Sequence, residues 1–61
     1  MSRAEFYRLV SNTIRAQLER TSDPHSRAAY VRMADSLATA FARHNSKFDA
    51  ERFHRDAGTV A

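Results

Sequence analysis

Histidines and serines are the residues of this sequence that could do metal or nucleophilic chemistry. The histidines His25, His44 and His54 contain no pair at the i, i+4 spacing of a helical metal site, and the chain has no cysteine. The six serines form no recognisable pattern with a histidine and a carboxylate. We therefore expect no catalytic residue, no metal site, no cofactor and no enzymatic activity. An approach of His44 to His54 in a folded-back chain is the alternative that the spacing leaves open.

The length of the chain limits what it can enclose. It has 61 residues, 43% of them hydrophobic, and a single glycine, Gly58, so no glycine-rich phosphate loop can form. We expect one domain, residues 1–61, without a walled pocket of ~300 Å³, which is near the lower limit for ligand sites. Without cysteines the domain cannot gain stability from disulfides, and this favours self-association as a homodimer.

The basic residues form a second set with a chemical use. Nine arginines and one lysine give a formal net charge of +3 at pH 7. Arg8 and Arg15 lie seven residues apart on one face of the first predicted helix, a spacing that could follow a phosphate backbone. An ordinary solvated helix face is the simpler interpretation. A small DNA-binding regulator that uses basic faces of helices one and two is therefore the alternative prediction.

The first helix is predicted over about residues 3–20. Ser2 and Glu5 have the spacing of a capping box, and apolar residues then recur every four positions on one face. This apolar row is Phe6, Val10, Ile14 and Leu18, with Leu9 beside it. Tyr7 lies one step off the row, so we expect an exposed aromatic ring there that could belong to an interface.

The second helix is predicted over about residues 24–44. Asp23 is a favoured N-cap and Pro24 suits the first helical position, so the short joint should fold the two helices into an antiparallel hairpin. One face carries large apolar residues: Tyr30, Met33, Leu37 and Phe41. An adjoining stripe carries small ones: Ala34, Ala38 and Ala42. This alanine stripe is either a close internal seam, which we favour, or a homodimer interface, and both can hold on different flanks.

A short third helix is predicted over about residues 50–57. With Asp49 as its N-cap, Phe48 and Phe53 occupy the two positions of a hydrophobic staple, and Gly58 lies where a left-handed cap is expected. Eight residues do not form a stable helix alone, so the two rings should dock it on the hairpin. Arg52 opposes the helix dipole, and we expect its side chain to bond to Asp49 or to the last carbonyls of helix two.

The stretch from Asp35 to Gly58 resembles the C-terminal part of small uncharacterised proteins of actinobacterial phages and their hosts. Those proteins have an alanine-rich helix ending at Asn, a Phe-Asp-x-x-Arg-Phe segment and a Gly. The matching residues are Leu37, Ala38, Phe41, Ala42, Asn45, Phe48, Asp49, Arg52, Phe53 and Gly58. Where such proteins often have Pro-Arg after the Asn, this chain has Ser46-Lys47. The resemblance implies a phage or actinobacterial origin and supplies no activity.

Taken together, the patterns predict an all-α fold in which an antiparallel two-helix hairpin is followed by a short third helix. We expect two such chains to assemble as a helical-bundle dimer. We expect a non-enzymatic interaction module that binds a protein partner, a host protein if the origin is phage, or a second copy of itself. The chain has no apolar stretch of 18 residues and no secretory pattern, so we expect a cytoplasmic protein without membrane contact, in the bacterial host cell if phage-encoded.

Overall fold

The computed structural model describes residues 1–60 and contains three α-helices. Helix α1 spans Arg3–Arg20, α2 spans Pro24–His44 and α3 spans Ala50–Ala57. These bounds agree with those expected from the capping residues, and within residues 1–60 no strand is formed. The predicted all-α, three-helix architecture is confirmed.

Each helix begins at a side chain that accepts a hydrogen bond from a backbone N–H three residues later. Such caps occupy N–H groups that have no partner inside the helix. The three bonds join Ser2 Oγ to Glu5 N at 3.1 Å, Asp23 Oδ2 to Ser26 N at 2.8 Å, and Asp49 Oδ1 to Arg52 N at 3.0 Å. The ends of the helices are therefore specified by local sequence.

The C-terminal ends of α2 and α3 differ. Gly58 adopts the left-handed conformation with φ 73°, and the backbone N–H of Thr59 donates to the carbonyl of His54 at 2.9 Å. Asn45, the residue after α2, instead has extended backbone with φ −145°. The chain therefore leaves α2 extended and turns through Asn45–Lys47 before α3 begins.

A single arginine ties α1 to α2 at their joint. The guanidinium of Arg27 donates to the carbonyl of Leu18 at 2.6 Å and to the carbonyl of Thr21 at 2.8 Å. At the other end of the hairpin, the rings of Phe6 and Phe41 lie 5.9 Å apart. The two helices are therefore antiparallel. The numbers of an α1 residue and of the α2 residue that faces it add up to about 47.

The core is small and is shared by all three helices. Its buried apolar residues are Ile14, Leu18, Ala34, Ala38, Phe53 and Ala57. Half of these side chains are methyl groups, so the helix backbones approach closely. Ala34 and Ala38 are 0% and 4% exposed within one chain, which fits the internal-seam interpretation and removes both from any dimer interface. Ala42 is exposed.

The buried face of α1 differs from the expected one. Ile14 and Leu18 are buried as predicted, but Phe6 and Leu9 are 44% and 52% exposed, whereas Ser11 is only 1% exposed. The cause is α3, which packs against α1 and selects the row that runs from Tyr7 through Ser11 to Leu18. In the N-terminal half of α1 the buried row is therefore shifted by one residue, from Phe6 and Val10 to Tyr7 and Ser11.

Candidate functional site

An open groove of about 440 Å³ lies between α1 and the segment that leads into α3. We call it the basic groove, because its lining includes four cationic side chains: Arg3, Arg8, Lys47 and Arg52. Its volume falls in the range of ligand sites, but the groove is open on one side and is not the walled pocket that the chain length excluded. The small side chain of Ala4 on α1 leaves this space open, and Ser11 forms part of the groove floor opposite Phe48 and Phe53.

Three aromatic rings form the apolar lining of the basic groove. The ring centroid of Phe48 lies 4.7 Å from that of Tyr7 and 5.5 Å from that of Phe53. The staple predicted for Phe48 and Phe53 is therefore present, and Phe41 lies behind it, 5.7 Å from Phe53. Because Phe53 is only 3% exposed, the staple docks α3 on the hairpin as expected.

Tyr7 is not the spare exposed ring that the sequence indicated. It is half-buried, its ring centroid lies 4.8 Å from that of Phe41, and Asn45 Nδ2 donates to its hydroxyl oxygen at 3.3 Å. Helical periodicity misplaces it because the apolar row was drawn through Phe6, one residue away. As an interface residue Tyr7 can contribute only the part of its ring that faces the basic groove.

Asn45 connects the tyrosine to the basic rim. Its side-chain oxygen accepts from the backbone N–H of Lys47 at 3.1 Å, and its carbonyl accepts from the backbone N–H of Phe48 at 3.0 Å. One amide therefore holds the Tyr7 hydroxyl and shapes the turn that carries Lys47 and Phe48 to the groove. No sequence pattern predicted this role, although an Asn at a helix end is typical of such turns.

The charges of the basic groove are unevenly matched. Its two carboxylates are already engaged: Asp49 caps α3, and Asp56 lies 3.8 Å from the guanidinium of Arg52. Arg3, Arg8 and Lys47 form no ion pair with any residue of the described chain. Three cations at its rim are therefore available to a ligand.

The contacts of Arg52 differ from those expected. Its backbone N–H bonds to Asp49, but its side chain reaches neither Asp49 nor the end of α2 and pairs with Asp56 one turn later in α3. This side chain is 61% exposed, so the ion pair adds little stability. At the groove, the positive charge of Arg52 therefore offsets the negative charge of Asp56.

The structure does not bring Arg8 and Arg15 into one site. Arg8 lines the basic groove, whereas Arg15 lies two turns further along α1, at a shallower recess beside Gly58. The guanidinium of Arg15 also lies 3.9 Å from the carboxylate of Glu19. Of the two predicted phosphate contacts, only Arg8 is in the candidate site.

A histidine network links α2 to the end of α3. The Nε2 atom of His54 lies 3.3 Å from Asp35 Oδ1, and its Nδ1 atom lies 2.7 Å from Thr59 Oγ1. The residue types resemble a catalytic triad, but Thr59 is 9% exposed and none of the three residues lines the basic groove. We interpret the network as a structural link that holds α3 against α2.

The remaining histidines do not add to this network. His44 is exposed at the end of α2, and within residues 1–60 no three potential metal ligands cluster. The Asp35–His54 pair spans 19 residues of sequence, so helical spacing could not reveal it. In the same range, no helix has the combination of length and apolarity needed to cross a bilayer.

Fold and groove together define a small all-α protein with a basic, aromatic-lined groove. No family model, curated protein or solved structure matches this chain. The function is therefore inferred from the residues of the groove itself.

Proposed function

We propose that the protein is a non-enzymatic interaction module that binds an acidic segment of a partner protein in the basic groove. The observation that supports this most directly is the charge arrangement: three rim cations lack an ion-pair partner in the described chain, whereas both groove carboxylates are engaged. A ligand with carboxylates at its edges would supply the missing partners. Opposite potentials on two surfaces also speed and orient their association.

The apolar lining adds a second requirement for the partner. The half-buried rings of Tyr7 and Phe48 present surface between the cations, so the best ligand places an apolar side chain between acidic residues. Aromatic side chains at the centre of a contact, with charges at its rim, are typical of protein interfaces. An acidic peptide with an aromatic residue satisfies both features.

The hydroxyl groups of the groove support binding rather than catalysis. Ser11 is buried and its hydroxyl donates to the carbonyl of Arg8 at 3.1 Å, while the Tyr7 hydroxyl accepts from Asn45. Neither group has a histidine beside it as a general base, which a nucleophilic hydroxyl would need. The resemblance to phage proteins extends the proposal to a host protein as the partner, in the host cytoplasm.

A DNA-binding regulator is the second candidate, because Arg8 and Arg15 lie on the same flank of α1. The structure gives it less support than the first proposal. Arg15 pairs with Glu19, and on α3 the guanidinium of Arg55 lies 3.6 Å from Glu51. A surface that follows a phosphate backbone needs several cations in a row.

Fluorescence anisotropy with a labelled peptide of alternating Glu and Phe residues tests the first proposal. Reversing one rim charge, in Arg8→Glu or Lys47→Glu, should weaken binding by about 1 kcal/mol, or about fivefold in Kd. Arg32→Glu is the matched control, because it changes the net charge equally on an exposed residue outside the groove. Binding should also weaken between ~50 and ~200 mM salt.

The same assay with a labelled DNA duplex separates the two candidates. If the wild-type protein binds no acidic peptide, or if Arg32→Glu weakens binding as much as Arg8→Glu, the groove proposal is wrong. Duplex binding that falls steeply with salt and is lost in both Arg8→Glu and Arg15→Glu would favour the regulator.

A further inference from the structure

The hairpin carries an apolar surface on the side that α3 leaves uncovered. We call it the apolar face and define it by Phe6 and Leu9 on α1 and Met33 and Leu37 on α2. Phe6, Leu9 and Met33 are 44%, 52% and 56% exposed, and Leu37 is half-buried. At 100° per residue, Leu9 lies on the opposite side of α1 from the buried Leu18. The basic groove contains none of these residues.

These residues form one continuous surface because of the hairpin register. The contact of Phe6 with Phe41 and the bond from Arg27 to Leu18 fix which residues of α1 and α2 face each other. In that register Leu37 lies alongside Leu9 and Val10, and Met33 lies about one turn further along. A surface formed by two antiparallel helices is the kind that pairs in four-helix bundles.

We propose that the apolar face pairs with the same face of a second copy of this chain. An isologous contact places each residue near its own copy or its neighbours, so like charges on the face would repel. The four residues of the apolar face carry no charge, although the chain has a formal net charge of +3. The basic groove, by contrast, would repel a second basic groove. Charge therefore favours this face as the one that a second copy covers.

The total accessible surface of the chain also favours pairing with a second copy. Its accessible surface is 4586 Å², whereas a compact chain of 7.0 kDa should expose about 4,000 Å². The chain therefore exposes about 600 Å² more than a compact monomer of its mass, a surplus of the whole surface that burial between two copies would reduce. Pairing would extend the small alanine-rich core into a four-helix core.

This assembly uses a different surface from the alanine stripe considered in the sequence, because Ala34 and Ala38 are already buried within one chain. It also leaves both basic grooves accessible, since the groove lies on the α1–α3 side of the molecule. A dimer would therefore present two grooves, and a partner with two acidic segments would gain avidity. The dimer does not require that the groove bind anything.

Sedimentation equilibrium of the full chain between ~10 and ~500 μM tests the inference. We expect the wild type to approach twice the monomer mass of 7.0 kDa over this range. Leu9→Glu and Met33→Glu should each place a carboxylate in the interface and weaken the dimer at least about 30-fold. Thr39→Glu is the control: it adds a carboxylate to an exposed position of α2 outside the apolar face and should still dimerise.

Circular dichroism distinguishes loss of the dimer from loss of the fold. Leu9 and Met33 are both more than half exposed, so their Glu variants should retain wild-type helicity. A wild-type mass of 7.0 kDa at ~500 μM overturns the inference. It is also overturned if folded Leu9→Glu and Met33→Glu dimerise as tightly as the wild type. A wild-type chain that dimerises but binds no acidic peptide would contradict the groove proposal alone.

Discussion

Ser11 is the most informative residue of α1, because it is polar and yet almost completely buried. A hydroxymethyl group is small enough for α3 to pack close to α1 at this position. Its hydroxyl donates to the carbonyl of Arg8, so the buried oxygen is satisfied within the helix. Hydrophobic periodicity assigns a serine to the solvent side of a helix. For that reason the sequence did not reveal that Ser11 is buried.

Replacing Ser11 by a larger residue should destabilise the fold. Ser11→Leu should lower the free energy of unfolding by about 1–3 kcal/mol, because the added methyl groups have no space between α1 and α3. Ser11→Ala should change it by less than about 1 kcal/mol, since the Arg8 carbonyl keeps its helical bond. Urea denaturation followed by far-UV circular dichroism measures both. Equal stabilities for the Leu and Ala variants would show that the position is not tightly packed.

Helix α2 begins at an acid-sensitive cap. The backbone N–H and the hydroxyl of Ser26 donate to the Asp23 carboxylate and hold its pKa below the ordinary value. A carboxyl group with a lowered pKa in the folded state stabilises the fold above its unfolded pKa. That contribution disappears as the pH falls through the folded pKa, below about pH 4.

Asp23→Asn should make this part of the pH dependence disappear. Asparagine also caps helices well but does not titrate in this range, so the variant keeps the bond from Ser26. We expect the difference in thermal midpoint between wild type and Asp23→Asn to shrink, or to reverse in favour of the variant, between pH 7 and about pH 2.5. Both proteins share all other carboxylates, which cancel in the comparison. A constant difference would mean that the Asp23 cap does not depend on ionisation.

At the scale of the whole molecule, one aromatic cluster connects all three helices. Phe53 of α3 lies 5.7 Å from Phe41 of α2, and Phe41 lies 4.8 Å from Tyr7 of α1. Edge and tilted contacts of this kind add stability beyond the burial of area. The hairpin alone has few buried residues, so α3 belongs to the core and is more than an appendage.

Phe53→Ala should therefore unfold the whole chain. The loss of a buried Phe costs about 3–5 kcal/mol, which is close to the total stability expected for a domain of this size. Far-UV circular dichroism at 25 °C should show loss of most helical signal, well beyond the eight residues of α3. Ala40→Gly, at an exposed position within α2, is the control and should cost only about 1 kcal/mol. If Phe53→Ala retained the signal of α1 and α2, the hairpin would be an independent unit.

The sequence alone determined the elements of this protein. Ser2, Asp23 and Asp49 mark helix starts through bonds to backbone N–H groups three residues later, and the staple of Phe48 and Phe53 spans five residues. Interactions of such short range can be inferred from spacing, because the helix fixes the relative positions of the residues involved. The three helices and their limits follow from them.

The tertiary structure decided which faces are buried and where a ligand could bind. The docking of α3 selected Tyr7 and Ser11 over Phe6 and Leu9, placed Ala34 and Ala38 inside the chain, and joined Asp35 to His54. The basic groove exists only because Lys47 and Arg52 come to lie beside residues of α1 about 40 positions earlier. Each of these outcomes depends on the orientation of one helix relative to another, which side-chain packing across the whole core determines and local spacing does not.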